Sequence, residues 1–402
     1  MSDWASTTLG KIFVVDNTKL GPHVEEPTVM SLSKYDGFVR AEEYFDKRIA
    51  SSNLDGYKVV EPGEWAFSTI HIDEGSIARN NLGERGVISP MYTTMRFVAT
   101  DCIPEYAELL VRQPGTLAEY SRRAQGSINR RRSLPFKAFA EIEVVLPSRV
   151  EQGRIVDVMI AMDAHIDELD AERQATTSLL AVMRDAYPEG TEHALSHVVA
   201  GIDSGKSVQT SDERPLPGEP AVLKLSAIQL GTFVASEAKR LADLTAYTDA
   251  HLVAEGDLLI TRASGSSDRV GYATIARDVP PQTYMPDLIW RIRTRPDVCQ
   301  STFLAHLLCS PSVRSMITSS ARGTASMRKI NKTLLGSLRL PIPSLEEQSA
   351  YVERCDAVAF AAQRLDLELT DLRAFRSALL TALLNREIEI PESYDSLLEE
   401  VS

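Results

Sequence analysis

Two basic stretches contain the residues best suited to binding a charged ligand. The first spans 120–137 and the second spans 319–339, and neither contains Asp or Glu. Arginine side chains clamp phosphate oxygens or contact guanine through two hydrogen bonds, and asparagine can pair with adenine. A glycine beside a hydroxyl residue, as in Gly126-Ser127 and Gly323-Thr324, lets backbone N–H groups approach a phosphate closely. The pattern predicts a nucleic-acid surface.

The candidate contacts lie at matched places in the two stretches. They are Arg122, Arg123, Gln125, Gly126, Ser127, Asn129, Arg130, Arg131, Arg132 and Lys137 in the first, and Arg322, Gly323, Thr324, Ser326, Arg328, Lys329, Asn331 and Lys332 in the second. A run of charge is also commonly a solvated surface, and for one stretch alone that alternative stays open. Two such stretches in a chain of net charge −13 favour nucleic acid, because phosphate binding needs local positive charge.

The spacings that enzymes use are missing from the sequence. In the segment 201–207, GIDSGKS, the two glycines are one residue too close for a phosphate-binding loop, so we interpret it as a turn. His71-Ile72-Asp73 is typical of a surface histidine, and neither a metal-ligand spacing nor a nucleophile elbow is present. We therefore predict no catalysis, metal or cofactor in this chain, although a scattered nuclease site stays open.

A duplicated segment follows each basic stretch, and we expect it to determine where that stretch lies in the fold. Residues 146–187 and 342–384 repeat Pro-Ser and Glu-Gln pairs about 196 residues apart, at 147–152 and 343–348. Proline and serine ahead of an acidic residue are typical of a helix start. Each copy predicts one long helix, about 50–55 Å at 1.5 Å per residue, ending near Tyr187 or Asn385.

Apolar residues spaced by threes and fours predict that the two helices form a coiled coil. The seam residues include Met159, Met162, Ile166, Leu169, Leu365, Leu369, Leu372 and Leu379, and Arg173 and Arg376 interrupt it. Two copies in one chain most simply pack against each other as an antiparallel pair, which would put the globular segments at opposite ends of a rod. A generic coiled coil is the alternative.

The globular segments also resemble each other and predict an α+β fold. An apolar strand, a Gly-acid turn and a second apolar strand occur at 57–70 and at 250–263. The predicted organisation has five parts: a globular domain at 1–145, a helical region at 146–189, a second globular domain at 190–341, a second helical region at 342–388 and an acidic tail at 389–402.

Composition sets the class of protein and its compartment. The chain has 402 residues, 44% of them hydrophobic and 25% charged, which is typical of a globular protein with more than one domain. No run approaches 18 consecutive apolar residues and no signal peptide begins the chain, so we expect a cytoplasmic protein without a membrane span. The four cysteines show no CxxC spacing and are expected to be reduced and buried.

The order of these features resembles the specificity (S) subunit of type I restriction–modification systems. A globular domain, a basic Gly-Ser/Thr stretch, a Pro-Ser-x-x-Glu-Gln motif and a long heptad helix occur in that order twice. The strongest matches are RLPIPSLEEQ at 339–348 and LRAFRSALLTALLNREI at 372–388. The first copy departs modestly: its LPSRVEQ lacks the second proline, and its helix end, SLLAVMRDAY, is degenerate.

The resemblance implies a non-catalytic DNA-binding subunit with a role in defence against phage. Two target recognition domains would each read one half of a split double-stranded DNA sequence. Two conserved helices would form an antiparallel coiled coil that sets the spacer and docks two adenine-N6 methyltransferase subunits. Those partners would bind S-adenosylmethionine and transfer the methyl group, and motor–nuclease subunits would join for cleavage. A protein-binding scaffold without DNA specificity is the alternative from another class.

Overall fold

The chain divides into two compact units. The computed structural model describes residues 4–22, 27–44, 53–126, 132–207, 213–324, 327–391 and 393–395. Unit 1 comprises Met1–Glu168 with Thr370–Ser402, and unit 2 comprises Leu169–Leu369. The units differ from the five segments drawn on the sequence, because each long helix contributes one part to unit 1 and the other part to unit 2.

Unit 1 is a mixed α/β unit built on two four-stranded sheets. Its strands are β1 (Ala5–Thr8), β2 (Phe13–Val15), β3 (Val29–Ser33), β4 (Gly37–Arg40), β5 (Lys58–Val60), β6 (Trp65–Ser68), β7 (Ile77–Arg79), β8 (Gly86–Ile88), β9 (Tyr92–Phe97) and β10 (Glu143–Leu146). Its helices are α1 (Leu9–Ile12), α2 (Ala41–Tyr44), α3 (Pro104–Arg112), α4 (Pro114–Arg123), α5 (Phe136–Ala140) and the start of the long helix α6 (Arg149–Asp185). The sheets have the orders β2-β9-β6-β7 and β4-β3-β8-β5, and β1 pairs with β10.

Unit 2 has a related plan, with one four-stranded sheet and two three-stranded sheets. Its strands are β11 (Thr191–Ala194), β12 (Val199–Ser204), β13 (Ala221–Leu223), β14 (Ala238–Arg240), β15 (Leu258–Thr261), β16 (Ala263–Ser264), β17 (Ala273–Ile275), β18 (Thr283–Tyr284), β19 (Ile289–Thr294), β20 (Arg322–Thr324), β21 (Met327–Lys329) and β22 (Arg339–Ile342). Its helices are α7 (Leu195–Val198), α8 (Ser301–Leu308), α9 (Pro311–Ser320), α10 (Lys332–Gly336) and the first part of the long helix α11 (Leu345–Leu384).

The sheet topology shows that the duplication extends through the globular parts. The order β12-β19-β15-β17 in unit 2 matches β2-β9-β6-β7 in unit 1, and β11 pairs with β22 as β1 pairs with β10. In both units one pair of strands is parallel, β3 with β8 and β13 with β18. The predicted α+β class is confirmed. Unit 2 adds the three-stranded sheet β16-β21-β20.

Two local predictions in unit 2 are wrong. The first apolar strand predicted within 250–263 is instead a short 3₁₀ turn, Asp249–His251, followed by one bridge from Leu252 to Tyr284. The segment 201–207, interpreted as a turn, mostly continues β12, because its residues pair with β19 up to Ser204. Beyond β12, Lys206 forms a bridge with Pro286, and an added Cβ at Gly205 would lie 2.1 Å from the Met285 carbonyl oxygen.

The N-terminus of each long helix is anchored by one buried glutamine. The Gln152 side chain accepts from the Ile103 N–H at 2.8 Å and donates to the Asp101 and Pro147 carbonyls at 2.8 and 2.9 Å. Gln348 of α11 makes the equivalent three bonds, from Gln300 N–H and to the Val298 and Pro343 carbonyls. Both side chains are fully buried, so each amide satisfies backbone groups that water cannot reach.

Serine caps support the same helix starts. The Ser344 hydroxyl and backbone N–H both bond the Glu347 carboxylate, at 2.7 and 3.0 Å, and the Glu347 N–H returns a 3.4 Å bond to the Ser344 hydroxyl. At α6 the Glu151 N–H donates to the Ser148 hydroxyl at 3.2 Å. These caps confirm that the duplicated Pro-Ser pairs mark helix starts.

Within unit 1 the two long helices pack antiparallel. Ile155 and Met159 near the start of α6 share one buried core with Leu380 and Leu383 near the end of α11. Further along α6, the Asp163 carboxylate receives a bidentate ion pair from Arg376, whose Nη2 lies 2.6 Å from Asp163 Oδ2. Arg376, which interrupts the predicted apolar seam, therefore forms an ion pair with a carboxylate on the facing helix.

Within unit 2 the helices are antiparallel as well. Near the end of α6, the Arg184 carbonyl accepts a 2.7 Å bond from the Tyr351 hydroxyl, which lies near the start of α11. Earlier in α6, Arg173 Nε lies 3.1 Å from Asp170 and 3.6 Å from Asp366 of α11. The predicted antiparallel pairing of the two duplicated helices is confirmed in each unit.

All eight predicted seam residues are buried or half-buried. Met159, Ile166, Leu169 and Leu369 are buried, whereas Met162, Leu365, Leu372 and Leu379 are half-buried.

A buried polar cluster joins the end of α6 to the globular part of unit 2. Arg184 Nε lies 3.3 Å from His306 Nδ1, and His306 Nε2 lies 2.8 Å from the Asp356 carboxylate. The bond to His306 holds the pKa of Asp356 below its usual value. Arg184 is only 5% exposed, whereas the Asp356 side chain is 47% exposed, so the cluster ties three helices together at the edge of the core.

The four cysteines are buried and unpaired, as the sequence predicted. Cys102, Cys299, Cys309 and Cys355 are all buried and none forms a disulfide. Burial raises the pKa of the Cys102 and Cys299 thiols to about 12, so they are inert at neutral pH. Among the described residues, no helix is long and apolar enough to cross a membrane.

Replacing Gln348 with alanine should destabilise unit 2. The change leaves one N–H and two carbonyls without their partner, and each buried unsatisfied group costs about 1–3 kcal/mol. Urea unfolding followed by circular dichroism would measure the loss of unfolding free energy. Gln363→Ala, at an exposed site of the same helix, is the control and should change it by less than about 0.5 kcal/mol. Equal stability of the two variants would contradict the anchoring role.

Candidate nucleic-acid interface

The second basic stretch forms an exposed hairpin in unit 2. Strands β20 and β21 pair with Arg322 opposite Lys329 and Gly323 opposite Arg328. The side chains of Arg322, Arg328 and Lys329 are all exposed, and none lies within ion-pair distance of a carboxylate in the described part of the chain. Three unneutralised cations on one hairpin can contact phosphates or base edges.

The glycine of this hairpin has a structural explanation. Gly323 has a φ of +144°, and an added Cβ would lie 2.2 Å from the Met327 carbonyl oxygen. Gly126 has a similar φ of +131° at the equivalent place in unit 1. Close packing of the two hairpin strands therefore requires glycine at 323, whether or not a phosphate approaches it.

Two other candidates in the second stretch are used inside the protein. The Asn331 side chain caps α10 by accepting the Leu334 N–H at 2.7 Å, so its oxygen has a structural role as well as the predicted one of pairing with adenine. Lys332 donates to the Ile202 carbonyl, and its ammonium lies 5.8 Å from the centre of the Trp290 ring. Both residues therefore stabilise the fold, and because both are exposed their contacts with DNA stay predictions.

The first stretch is more neutralised than its sequence indicated. Glu119, one residue before the stretch, lies 3.0 Å from Arg122 Nε and 3.5 Å from Arg123 Nε. Arg123 also lies 3.9 Å from Glu141. The hydrogen bond from Arg122 holds the pKa of Glu119 below its usual value, so the carboxylate is charged at neutral pH. These two arginines are not the unpaired cations that an acid-free stretch predicted.

The other described candidates of the first stretch differ in role. Arg132 donates from Nη2 to the Ser121 and Ala124 carbonyls, at 2.8 and 2.7 Å, and so is bound to the end of α4. Gln125 pairs through its backbone with Ser133 and leaves its side chain exposed, and Lys137 is exposed on α5. Ser127, Asn129, Arg130, Arg131 and Ser326 lie outside the described residues, and Thr324 is described only as part of β20.

In each unit, the loop that follows one inner strand of the four-stranded sheet, β6 in unit 1 or β15 in unit 2, lies beside the basic stretch. In unit 1 the Leu134 N–H donates to the Thr69 carbonyl at 2.8 Å, and in unit 2 the Ile330 N–H donates to the Arg262 carbonyl at 3.0 Å. The unit 2 loop continues into β16, where Ser264 pairs with Arg328. The hairpin and the loop therefore form one continuous surface in unit 2.

The described residues do not bring possible metal ligands together. They include no group of three or more His, Cys, Asp or Glu side chains placed to hold a metal ion. His71 Nδ1 lies 3.0 Å from the Glu74 carboxylate on an exposed turn, as expected of a surface histidine.

Known proteins with a similar sequence or a similar fold indicate the class to which this fold belongs. The chain matches no model of a known protein family. It is 21% identical over 255 residues to the type I restriction enzyme EcoKI specificity subunit of Escherichia coli (strain K12), which covers 59% of this chain and 55% of that protein. The match thus spans about half the length of the curated relative.

Two solved structures cover nearly the whole chain. One is from a study of complex assembly and conformational transition of the type I R-M system, with a TM-score of 0.57, 18% identity and 95% of this chain and 97% of that chain covered. The other is the type I restriction–modification S subunit from M. genitalium, with a TM-score of 0.52, 13% identity and 95% and 96% covered. The chain has the fold of a type I specificity subunit.

The loop beside the hairpin, residues 262–272, was not among the contacts predicted from the sequence. Arg262, Ser264, Ser266 and Arg269 were not among the candidate contacts, although Ser264 pairs directly with one of the candidates, Arg328. A signal was available: the run Ser-Gly-Ser-Ser at 264–267 follows a buried strand, and small hydroxyl residues at such a place are typical of an exposed loop that contacts a ligand.

Substitutions at Asn331 separate its capping role from base recognition. Asn331→Ser keeps a good capping oxygen but cannot form two bonds with adenine, so stability and DNA preference should both stay unchanged. Asn331→Ala removes the cap and should lower the unfolding free energy by about 1 kcal/mol. Thermal melting and competition band shifts would measure these effects. A loss of base preference in the serine variant would support the predicted contact with adenine.

Proposed function

We propose that this chain is the sequence-reading, non-catalytic subunit of a type I restriction–modification complex. The observation that carries the proposal is the exposed hairpin of unit 2, where Arg322, Arg328 and Lys329 have no carboxylate partner among the described residues. Double-stranded DNA offers closely spaced phosphates to such a hairpin and base edges to the side chains that reach a groove. The fold and the curated relative support the same role.

The duplication supports a bipartite target. Two units with the same sheet order can each bind one half of a split site, and their surfaces differ where contact is expected. Beside the basic segment, unit 1 has His71-Ile72-Asp73-Glu74, whereas unit 2 has Ser264-Gly265-Ser266-Ser267. An acidic loop and a hydroxyl loop cannot make the same base contacts, so the two half-sites should differ in sequence.

The long helices supply a surface for protein partners. In unit 2, Leu179, Val182, Phe360 and Leu367 are 51–65% exposed, and in unit 1 Ile160 and Phe375 are 58% and 56% exposed. Large apolar side chains exposed on a helix pair are typical of an interaction site. We assign this surface to two adenine-N6 methyltransferase subunits, which would bind S-adenosylmethionine and carry out methyl transfer. Motor–nuclease subunits would join the same complex in the cytoplasm for cleavage of phage DNA.

Glutamine substitutions at Arg322, Arg328 and Lys329 should test the DNA surface. A lost phosphate contact should weaken binding to every double-stranded sequence alike and reduce the slope of log K against log salt by about 0.9. A lost base contact should instead relax preference at one position. Band shifts over a salt series, with the methyltransferase partner present, would distinguish the two kinds of contact.

Arg240→Gln is the control for loss of one charge. Arg240 is half exposed but already paired with Glu213 and Glu219, so its removal should leave the salt slope unchanged. A flat salt response and no sequence preference in the unsubstituted complex would contradict DNA reading and favour a protein-binding scaffold. Cleavage of DNA by the purified chain alone with Mg²⁺ would instead indicate a nuclease.

Aspartate substitutions on the long helices should test partner docking. Phe360→Asp in unit 2 and Phe375→Asp in unit 1 should each remove one methyltransferase subunit from the complex, and the double variant should remove both. Burying a new charge in an apolar interface is unfavourable, whereas both sites are exposed in the isolated chain and should not disturb its fold. Native mass spectrometry of the co-expressed proteins would give the number of subunits bound.

Ala361→Asp is the matched control, since position 361 is exposed and one residue further round the helix. It should keep two methyltransferase subunits. Two subunits retained by both phenylalanine variants would rule out this surface as the docking site.

A further inference from the structure

A buried arginine holds the loop beside the hairpin in unit 2. Arg314 of α9 is only 9% exposed, and its Nη1 donates to the Val270 carbonyl at 2.6 Å. Its Nη2 donates to the Asp268 carbonyl, and its guanidinium lies 4.9 Å from the centre of the Tyr272 ring. No ion pair is formed with a carboxylate of any described residue. The guanidinium therefore donates its hydrogen bonds to the backbone carbonyls of one loop.

Burial of this guanidinium is costly, and the surrounding residues are arranged to accept it. Desolvation lowers the pKa of Arg314, which means that burial disfavours its charged form. Gly271, with a φ of +75°, lies against it: an added Cβ would be 3.0 Å from Arg314 Nη1 and 2.5 Å from Ile317 Cγ2. A hydrophobic side chain of similar size would pack at less cost but could not bond two carbonyls.

Other bonds close the same loop from its other end. The buried Thr261 hydroxyl donates to the Arg269 carbonyl at 2.7 Å and accepts from the Tyr272 N–H at 3.0 Å. The Gly271 N–H donates to the Thr261 carbonyl at 2.9 Å. The backbone from 268 to 272 is therefore fixed, whereas Gly265, Ser266 and Arg269 remain exposed.

The fixed loop adjoins the basic hairpin through hydrogen-bonded strands. Ala263 and Ser264 of β16 pair with Lys329 and Arg328 of β21. A shift of the loop would therefore change where the exposed residues of the loop lie relative to Arg328. Recognition of a base edge tolerates little such movement, since the two-bond contact of an arginine with guanine depends on geometry.

Unit 1 has an arginine in a comparable role on a different helix. Arg112 of α3 is half-buried, and its Nε donates to the Gly75 carbonyl at 3.3 Å and its Nη2 to the Lys34 carbonyl at 3.0 Å. Gly75 lies in the loop that follows the central strand β6, as the Arg314-bound loop follows β15. Burial lowers the pKa of Arg112 as well.

We infer that Arg314 and Arg112 are positioning residues for sequence recognition, each holding the loop through which its own unit reads one half-site. The inference rests on the proposed function. It adds the loop residues Gly265, Ser266 and Arg269 to the DNA-reading surface of unit 2. Neither arginine contacts DNA itself, so their loss should impair discrimination between sequences and leave the contacts with phosphates in place.

The test uses the chain in complex with its methyltransferase partner and a target sequence obtained from host methylome sequencing. Arg314→Met should reduce the affinity ratio between the target and DNA altered in one half-site by about tenfold, the loss expected for one misread base pair. The other half-site should still be read, and the salt slope should not change. Arg314→Lys should recover part of the ratio, because one ammonium can reach one of the two carbonyls. Arg112→Met should relax the opposite half-site.

Arg184→Met is the matched control, because Arg184 is a buried arginine of the same unit that bonds His306 and not the loop. It should lower the melting temperature without altering discrimination. If Arg314→Met does not fold, Arg269→Ala, an exposed change in the loop, should relax the same half-site. Unaltered discrimination in Arg314→Lys and Arg269→Ala, or in a folded Arg314→Met, would overturn the inference. Absence of any sequence preference in the unsubstituted complex would instead overturn the proposed function.

Discussion

The buried glutamine at the start of each long helix is the interaction on which the rest of the structure depends. Gln152 and Gln348 each join three segments: their own helix, the residue that follows the preceding strand, and the segment just before α3 or α8. Without these amides, several backbone groups would be buried with no partner, at a cost comparable to a sizeable part of a domain's stability. The basic segments are held in place relative to the helices because these joints are fixed.

The two units share a framework but not a surface. Their strand orders match, and the hydrogen bond from Leu134 to Thr69 recurs as that from Ile330 to Arg262. Charge is handled differently: Glu119 neutralises two arginines in unit 1, whereas the described hairpin cations of unit 2 face solvent. A chain of net charge −13 can therefore still present a cationic surface, because its acids are concentrated elsewhere.

Features governed by local sequence could be predicted, whereas those that depend on tertiary contact could not. The long helices and their caps followed from periodicity and from Pro-Ser pairs, and the antiparallel pairing followed from the duplication. The capping role of Asn331 was not predicted, because capping depends on where α10 begins. The ion pairing of Arg122 and Arg123 was not predicted, because their partner, Glu119, lies one residue outside the acid-free stretch. Arg314 could not be told from a surface arginine until α9 was seen to pack on the loop.

The glutamine joints have a consequence for how such a chain can change over time. Every bond that Gln152 and Gln348 make is to a main-chain N–H or carbonyl group, and these are the same whatever side chains the loops carry. A globular unit with quite different surface residues could therefore be attached to the same helix without redesign of the joint. Recombination at these boundaries would exchange a whole globular surface in one step, while the helix pair passed unchanged to the descendant.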